Sequence, residues 1–348
     1  METVTSLAQF LQIICNRSNW MDELGDDHIN PILSRENTML KEYIYLCKNA
    51  EKATDYQELD NYIYQNYEHL YSYYFNRDYV ERINTSEKER PIYFYRGVSD
   101  AEHPIASGIY RSTEWHEENY YFNEISVRCP EAFRALNTIE KLTYMQHYGC
   151  PTRLLDITSN PLVALYFACQ DNCDKDGSVY IFRTYPEDVL YANSNRIQML
   201  SKLAEFTKKE QRHLRKLAYR NLFREKFPQL TSGKYRDAVV EQYFHAIKRN
   251  DGAFERELVP LDILRPLFVQ PNKDNPRILK QDGAFVLSGL DAGERESNMK
   301  IRKYLAKTVN IKMDEKQKLR KELEIVGINQ ATLFPEVDKV AAYLREKI

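Results

Sequence analysis

The sequence predicts an α+β protein in which helices interrupt a mixed β-sheet. Short segments rich in β-branched and aromatic residues, such as "IYFYR" and "SVYIFRTY", alternate with longer segments whose apolar residues recur at helical spacing. Hydrophobic residues make up 43% of the 348 residues, which is enough for a sizeable core. The net charge of -2 gives no general attraction to nucleic acid or to a membrane.

The first 88 residues are predicted to form an N-terminal helical region. "TSLAQFLQIICNRS" has apolar residues at helical spacing, and Thr5 or Ser6 can cap it. Two Tyr-rich segments without Gly or Pro follow, "ENTMLKEYIYLCKNAEK" and "YQELDNYIYQNYEHLYSYYFNRDYVERI". We expect a small helical bundle whose aromatic residues fill its core rather than surround a ligand.

The predicted sheet begins at "IYFYR", which lies between Pro91 and Gly97. In a strand Phe94 and Arg96 share one face, whereas Tyr93 and Tyr95 share the other. An arginine on so apolar a strand needs a partner when it is buried. The partner can be a carboxylate, a cluster of carbonyl groups or an anionic ligand, and an ion pair and a ligand have equal support.

The run "QHYGCPTRLLDITSNPLVALYFACQ" predicts a strand followed by an apolar helix. Ser159 or Asn160 can cap the helix, and Pro161 suits its first position. Residues three apart on a strand face opposite sides, and residues two apart share a side. The polar residues of the strand therefore serve two faces.

Asp156 and Thr158 are the residues expected at a pocket wall. Asp156 has an alternative role, as an anchor for backbone amides of the turn that follows. Arg153 faces the other side, where it can pair with a carboxylate. His147 is either a general base or a structural histidine beside the turn at "YGCP".

Residues from about 190 to 256 are predicted to be a basic helical insertion. Within residues 202–226, nine Lys or Arg residues stand against three Glu residues. Such a surface can contact phosphates, but it is more often a solvated helix face. β-character returns from about residue 258, and two helices are expected after the strand "AFVLSG".

Several classes of protein lose support because their motifs are missing. The sequence has no GxGxxG, GxxxxGK[ST], GxSxG or HExxH motif, and its seven histidines show no metal-ligand spacing. Six scattered cysteines without a CxxC pair are typical of reduced thiols. No signal-peptide pattern and no run long enough to span a bilayer is present, so a cytoplasmic location without membrane contact is expected.

Three segments resemble the FRG domain family, which is named for its aromatic-Arg-Gly start. They are "YFYRG", the run from Gln146 to Ala168, and "NPRILKQDGAF", and the residues that carry the likeness include Arg96, Gly97, Arg111, Arg277, Gln281, Gly283 and Phe285. The resemblance covers roughly 89–185 and 258–345. The N-terminal helical region over 1–88 lies outside the resemblance. The resemblance implies an FRG domain over 89–348, interrupted by the insertion at about 190–256.

The same segments are also similar, more distantly, to ADP-ribosyltransferases, which have three strand motifs around a split mixed sheet. The likeness implies that Arg96 holds a phosphate or ribose of NAD, that Thr158 and Ser159 contact ribose, and that Gln281 forms the third motif. Many transferases have Glu there, so Gln281 is a departure and Glu124 is a substitute acid. The candidate binding residues are Arg96, Gly97, Tyr148, Arg153, Asp156, Thr158 and Ser159, and the catalytic candidates are Gln281, Glu124 and His147.

These resemblances imply an NAD-dependent ADP-ribosyltransferase-like enzyme, acting as a toxin or phage-defence effector, with NAD as substrate and no metal. Its acceptor would be nucleic acid or protein, reached through the basic insertion, and an antitoxin or a chaperone is a candidate partner. The alternative is a non-catalytic module that senses a nucleotide or a phage component. A nuclease has less support, because no metal-binding carboxylate cluster stands out.

Overall fold

The computed structural model describes residues 2–16, 30–53, 55–85, 90–111, 117–170, 174–224, 237–249, 259–273 and 275–346. Within them, the strands are β1 Glu2–Val4, β2 Ile92–Val98, β3 Leu154–Thr158, β4 Gly177–Thr184, β5 Val189–Tyr191, β6 Leu267–Gln270, β7 Gly283–Leu287 and β8 Leu305–Ile311. The helices are α1 Leu7–Cys15, α2 Asn30–Ala53, α3 Gln57–Thr85, α4 Gly108–Arg111, α5 Glu118–Arg128, α6 Pro130–Phe133, α7 Thr138–His147, α8 Pro161–Gln170, α9 Asn195–Ser201, α10 Lys208–Arg220, α11 Ala238–Lys248, α12 Pro276–Lys280, α13 Glu294–Arg302, α14 Lys316–Ile325, α15 Gln330–Leu333 and α16 Val337–Glu346.

All of these strands belong to one mixed sheet in the order β1-β8-β4-β2-β3-β7-β6-β5. β1 runs parallel to β8 and β5 runs parallel to β6, whereas the remaining neighbours are antiparallel. The predicted α+β class with a mixed sheet is therefore confirmed. The finer prediction, an ADP-ribosyltransferase type of sheet, stays a prediction.

The middle of the sheet is divided. β2 pairs with β4 along its whole length, and β3 does the same with β7, but β2 and β3 share only the pair Tyr95–Thr158. An antiparallel continuation would pair Arg96 with Ile157, and that pair does not form. We call the gap that opens beyond Tyr95–Thr158 the fork.

One face of the sheet is covered by α1, α8 and α14. Phe10, Leu165 and Leu319 are fully buried there with the inward residues of β2 and β4. α8 lies directly on β2, because a Cβ atom added at Gly97 would lie 1.7 Å from the carbonyl oxygen of Ala164. As predicted, α8 begins at Pro161.

The other face is covered by several helices, among them α2, α3 and α10. α2 and α3 pack against each other, and α3 also packs on α10. Residues 2–4, which were expected to be helical, instead form an edge strand, because their backbone pairs with the distant β8. The strand alternation is confirmed: Phe94 lies in this core, whereas Tyr93 and Tyr95 lie in the other.

The insertion is also part of this core. Leu200, Leu214 and Tyr219 are fully buried within it. Several of its basic residues are used in ion pairs that hold neighbouring helices: Arg215 with Glu296, Arg220 with Asp60 and Arg224 with Glu51. The charged residues of this segment therefore stabilise the packing of helices as well as contact solvent.

Among the described helices, none combines the length and apolarity needed to cross a bilayer.

Candidate functional site

A pocket of about 420 Å³ opens in the fork between β2 and β3. This volume lies in the range of about 300–1,000 Å³ that small-molecule sites occupy. The strands, α7, α8 and the α12–β7 segment supply its walls: Tyr95, Arg96, Gly97, Thr143, Gln146, His147, Gly149, Asp156, Ile157, Thr158, Val163, Phe167, Asn275, Arg277, Ile278, Gln281, Gly283, Ala284 and Phe285.

Arg96 spans the fork from β2. Its Nη1 donates a hydrogen bond to the backbone oxygen of Asp156 at 2.7 Å, and its Nε has no partner among the described residues. Most of the side chain is enclosed, and this burial lowers the pKa of Arg96 to about 10, with Asp156 opposing the shift and Arg111 adding to it. The guanidinium therefore stays cationic at neutral pH with donors to spare.

Asp156 presents an exposed carboxylate from β3. Its Oδ1 accepts a hydrogen bond from Nε2 of Gln146 at 2.8 Å, and Oε1 of Gln146 in turn accepts from the hydroxyl of Thr152. This chain fixes the orientation of the carboxylate. In the described part of the chain its second oxygen has no hydrogen-bond partner, so it is available to a ligand.

Thr158 and Gln281 also meet at the pocket, but their polar groups are partly engaged. The Thr158 hydroxyl donates to the backbone oxygen of Gln281 at 2.7 Å and accepts from the amide of Asn160 at 3.0 Å. The side-chain amide of Gln281 donates to the backbone oxygen of Leu333 at 3.1 Å. These bonds tie β3 to the start of β7 and to α15.

The far wall carries a histidine and a second arginine. His147 Nε2 lies 3.9 Å from Oε1 of Glu336, on the segment that precedes α16. The Arg277 guanidinium lies over the ring of Phe334, with its carbon 4.6 Å from the ring centre. The pocket thus has cationic groups on two walls, Arg96 on β2 and Arg277 on α12.

Arg153, one of the candidate binding residues, does not line the pocket. Its side chain is fully buried, and its Nε and Nη2 donate to Oε2 of Glu118 at 2.8 and 2.6 Å. Nη2 also donates to Oε1 of Gln211 at 3.1 Å. The expected carboxylate on the opposite face is therefore Glu118, on α5.

Three other candidates lie outside the pocket lining. Tyr148 is 68% exposed and packs beside the rings of Tyr144 and His147. The Ser159 hydroxyl is exposed, 3.5 Å from the backbone oxygen of Asp282. Glu124 forms an ion pair with Arg128 along α5 and does not line the pocket.

Gly97 lines the pocket for a reason unrelated to a ligand. The absence of a side chain is needed for the close approach of α8. Sequence reasoning missed Thr143 and Asn275 as lining residues. Thr143 could have been found, because it lies three and four residues before Gln146 and His147 and so shares their side of α7.

In the described part of the chain, no three His, Cys, Asp or Glu residues lie close enough together to hold a metal ion.

The fold and pocket define an α+β protein whose divided sheet encloses a site of small-molecule size. A family model described as the FRG domain matches residues 91–177, from β2 to the start of β4. Residues 91–177 therefore match the FRG family that the sequence resemblance indicated, whereas the wider bounds of 89–348 stay a prediction. The match includes Arg96, Gln146 and Asp156 of the pocket, whereas Arg277 and Gln281 lie beyond it. Neither a curated protein nor a solved structure matches the chain.

Proposed function

We propose that the fork pocket binds NAD and that the protein is an ADP-ribosyltransferase-like enzyme. The observation that supports this proposal is the meeting of Arg96, Thr158 and Gln281 in one cleft, although they come from three separate segments of the sequence. Convergence of this kind is the geometric requirement for three motifs that hold one ligand.

The cationic side chains of the pocket would hold the phosphates. Arg96 keeps its Nε free of partners in the described residues, and guanidinium groups bind phosphate through paired donors. Arg277 is the second cation, held in place by Phe334. The enclosed setting of Arg96 strengthens its attraction for an anion.

Asp156 would supply the catalytic carboxylate, a role for which the sequence offered Gln281 or Glu124. In the reaction the bond between C1′ of ribose and the nicotinamide nitrogen breaks, and its electron pair goes to the nicotinamide ring. Positive charge develops at C1′, where a fixed carboxylate stabilises it. The acceptor then forms the new bond to C1′ and releases its proton, which His147 or water can take.

A second candidate, a nucleotide sensor without catalysis, is favoured by a different observation. The Thr158 hydroxyl and the Gln281 amide group already form hydrogen bonds within the protein. With Glu124 outside the pocket, the groups expected to act on ribose are fewer than the sequence predicted. Such a protein would bind the nucleotide and leave it unchanged.

Calorimetric titration with NAD, combined with chromatographic detection of released nicotinamide, separates the two. Arg96→Gln should weaken NAD binding by about tenfold or more, since it removes a charged donor. Asp156→Asn, which keeps an acceptor for Gln146, should preserve binding and abolish release. Arg134→Gln, at an exposed ion pair with Glu131, is the matched control. Binding without release would favour the sensor, and absence of NAD binding would refute the transferase.

The role as a toxin or defence effector is part of the proposal and has a cellular test. Expression should arrest bacterial growth, and Asp156→Asn should relieve the arrest. Production of such a toxin would need an antitoxin or chaperone partner. Growth that is equally impaired by both forms would contradict an enzymatic toxin.

For a nucleic-acid acceptor, the available part of the insertion is the N-terminal half of α10. Lys208, Lys209 and Arg212 are exposed there, whereas Arg215 and Arg220 are engaged in ion pairs. Mass spectrometry of nucleic acid and protein after incubation with NAD would identify the acceptor. Substitution of Lys208, Lys209 and Arg212 by Gln should reduce modification of nucleic acid but not release of nicotinamide.

A further inference from the structure

A second cavity of about 340 Å³ lies beside the fork pocket. The two cavities share a wall, because Thr143 of α7 and Asn275, which caps α12, line both. The Thr143 hydroxyl donates to the backbone oxygen of Ile139 at 2.9 Å, and Oδ1 of Asn275 accepts from the amide of Arg277 at 2.8 Å. The shared wall is therefore anchored to both helices.

The two cavities differ in chemistry. The fork pocket contains Arg96, Arg277 and Asp156, whereas no cationic residue lines the second cavity among the described residues. Its apolar lining includes Tyr144, Leu136, Pro271 and Pro276. A flat, uncharged ring matches such a surface better than a phosphate does.

The polar groups of the second cavity include two side-chain amides, those of Asn272 and Asn275. The carboxylate of Glu140 is already committed, because it accepts from the backbone amide of Asn137 at 2.9 Å and from Nδ2 of Asn272 at 3.1 Å. Oδ1 of Asn272 and Nδ2 of Asn275 have no partner among the described residues. A donor and an acceptor of this kind suit the edge of adenine, which carries an amino group next to a ring nitrogen.

We propose that the second cavity is a subsite for the purine ring of a nucleotide whose phosphate lies in the fork pocket. The inference rests on the proposed function, because it assigns the adenine half of NAD to this cavity. A nucleotide joins an anionic group to a ring through a single ribose, and the shared wall places a cationic cavity next to an apolar one. The ring would stack on Tyr144, with the prolines on the opposite side.

The subsite is tested by calorimetry with two probes that differ by the base alone, adenosine monophosphate and ribose 5-phosphate. Adenosine monophosphate should bind at least about tenfold more tightly, since stacking of one base on an aromatic side chain contributes that much. Tyr144→Ala should remove the difference, because it removes the ring. Tyr144→Phe should keep it to within about twofold. Tyr64→Ala is the control, because Tyr64 is 81% exposed and lines a different groove.

A second variant tests the subsite without changing Tyr144, whose ring also packs against Phe133 and so contributes to the fold. Asn272 is exposed, so Asn272→Leu should leave the fold intact and reduce the preference for adenosine monophosphate several-fold by removing its amide.

The outcomes separate the subsite from the proposed function. Equal binding of the two probes, or no binding of adenosine monophosphate, would overturn the subsite. A Tyr144-dependent preference for adenosine monophosphate in a protein that releases no nicotinamide from NAD would support the subsite and refute the transferase.

Discussion

Replacement of Arg153 by Met tests the assignment of this arginine to the core. The substitution keeps an unbranched side chain but leaves the Glu118 carboxylate, 4% exposed, without its cation. Burial alone would lower the pKa of Arg153, but the adjacent carboxylate of Glu118 raises it above its usual value. Removal of one member of a buried ion pair costs about 3–5 kcal/mol.

The loss can be converted to a melting temperature. At about 2.1 cal/mol/K per residue, the unfolding entropy of a 348-residue chain is about 0.7 kcal/mol/K. A loss of about 3–5 kcal/mol therefore lowers Tm by about 4–7 °C. Calorimetry and urea unfolding measure the two quantities independently, provided that unfolding is cooperative.

Two further variants complete the experiment. The double change Glu118→Gln with Arg153→Met should recover much of the stability. A glutamine at position 118 can still accept a hydrogen bond from the backbone amide of residue 153, and it brings no buried charge. Arg134→Met, at an ion pair exposed on both sides, should change stability by less than about 0.5 kcal/mol. The reasoning would be refuted if Arg153→Met cost no more than Arg134→Met. It would also be refuted if nucleotide affinity fell while stability was kept.

Three further predictions concern packing, acid response and the pocket boundary. Gly97→Ala should cost about 3 kcal/mol or more in urea unfolding, because the new Cβ would meet the carbonyl oxygen of Ala164 at 1.7 Å and α8 would have to move; a neutral result would contradict the close packing. Burial alone would raise the pKa of Glu296, but buried cations beside it lower the pKa to about 2. The contribution of Glu296 to stability should be complete above about pH 4.5 and be lost as the pH falls towards 2. Burial raises the pKa of Asp291, so this residue opposes part of the change. Urea unfolding between pH 3 and 7 should show a weaker acid dependence in Glu296→Gln than in the unchanged protein. Tyr148→Ala should leave nucleotide affinity within about twofold by calorimetry, because this exposed side chain lies outside the pocket lining; a tenfold loss would place it in the site.

Local patterns were sufficient to predict the two faces of β2. The alternation in β2 correctly separated Phe94 from Tyr95, and Asp156 and Thr158 both line the pocket, as does Ile157 between them. Arg153, which directly precedes β3, is buried and does not line the pocket. The prediction for β2 succeeded because side-chain direction in a strand depends on the local backbone alone.

Features that depend on distant partners were not predictable in the same way. Glu118 lies 35 residues before Arg153, and nothing in the spacing selects it among the neighbouring acids. The basic character of α10 could not reveal that Arg220 pairs with Asp60 on α3. The fork is likewise a tertiary feature, because it reflects how two half-sheets meet around Tyr95 and Thr158.

The pairing of β1 with β8 constrains the order in which the molecule can be completed. Glu2 pairs with Val309, so the hydrogen bonds of β1 form only after the residues up to β8 have been synthesised. Phe10 of α1 can be buried only later still, because it packs near α14, which follows β8 in the sequence. Contacts this far apart in sequence form slowly, and apolar side chains left exposed meanwhile favour aggregation. During synthesis this edge of the sheet would therefore close last, and it is the part of the fold most dependent on protection from other chains.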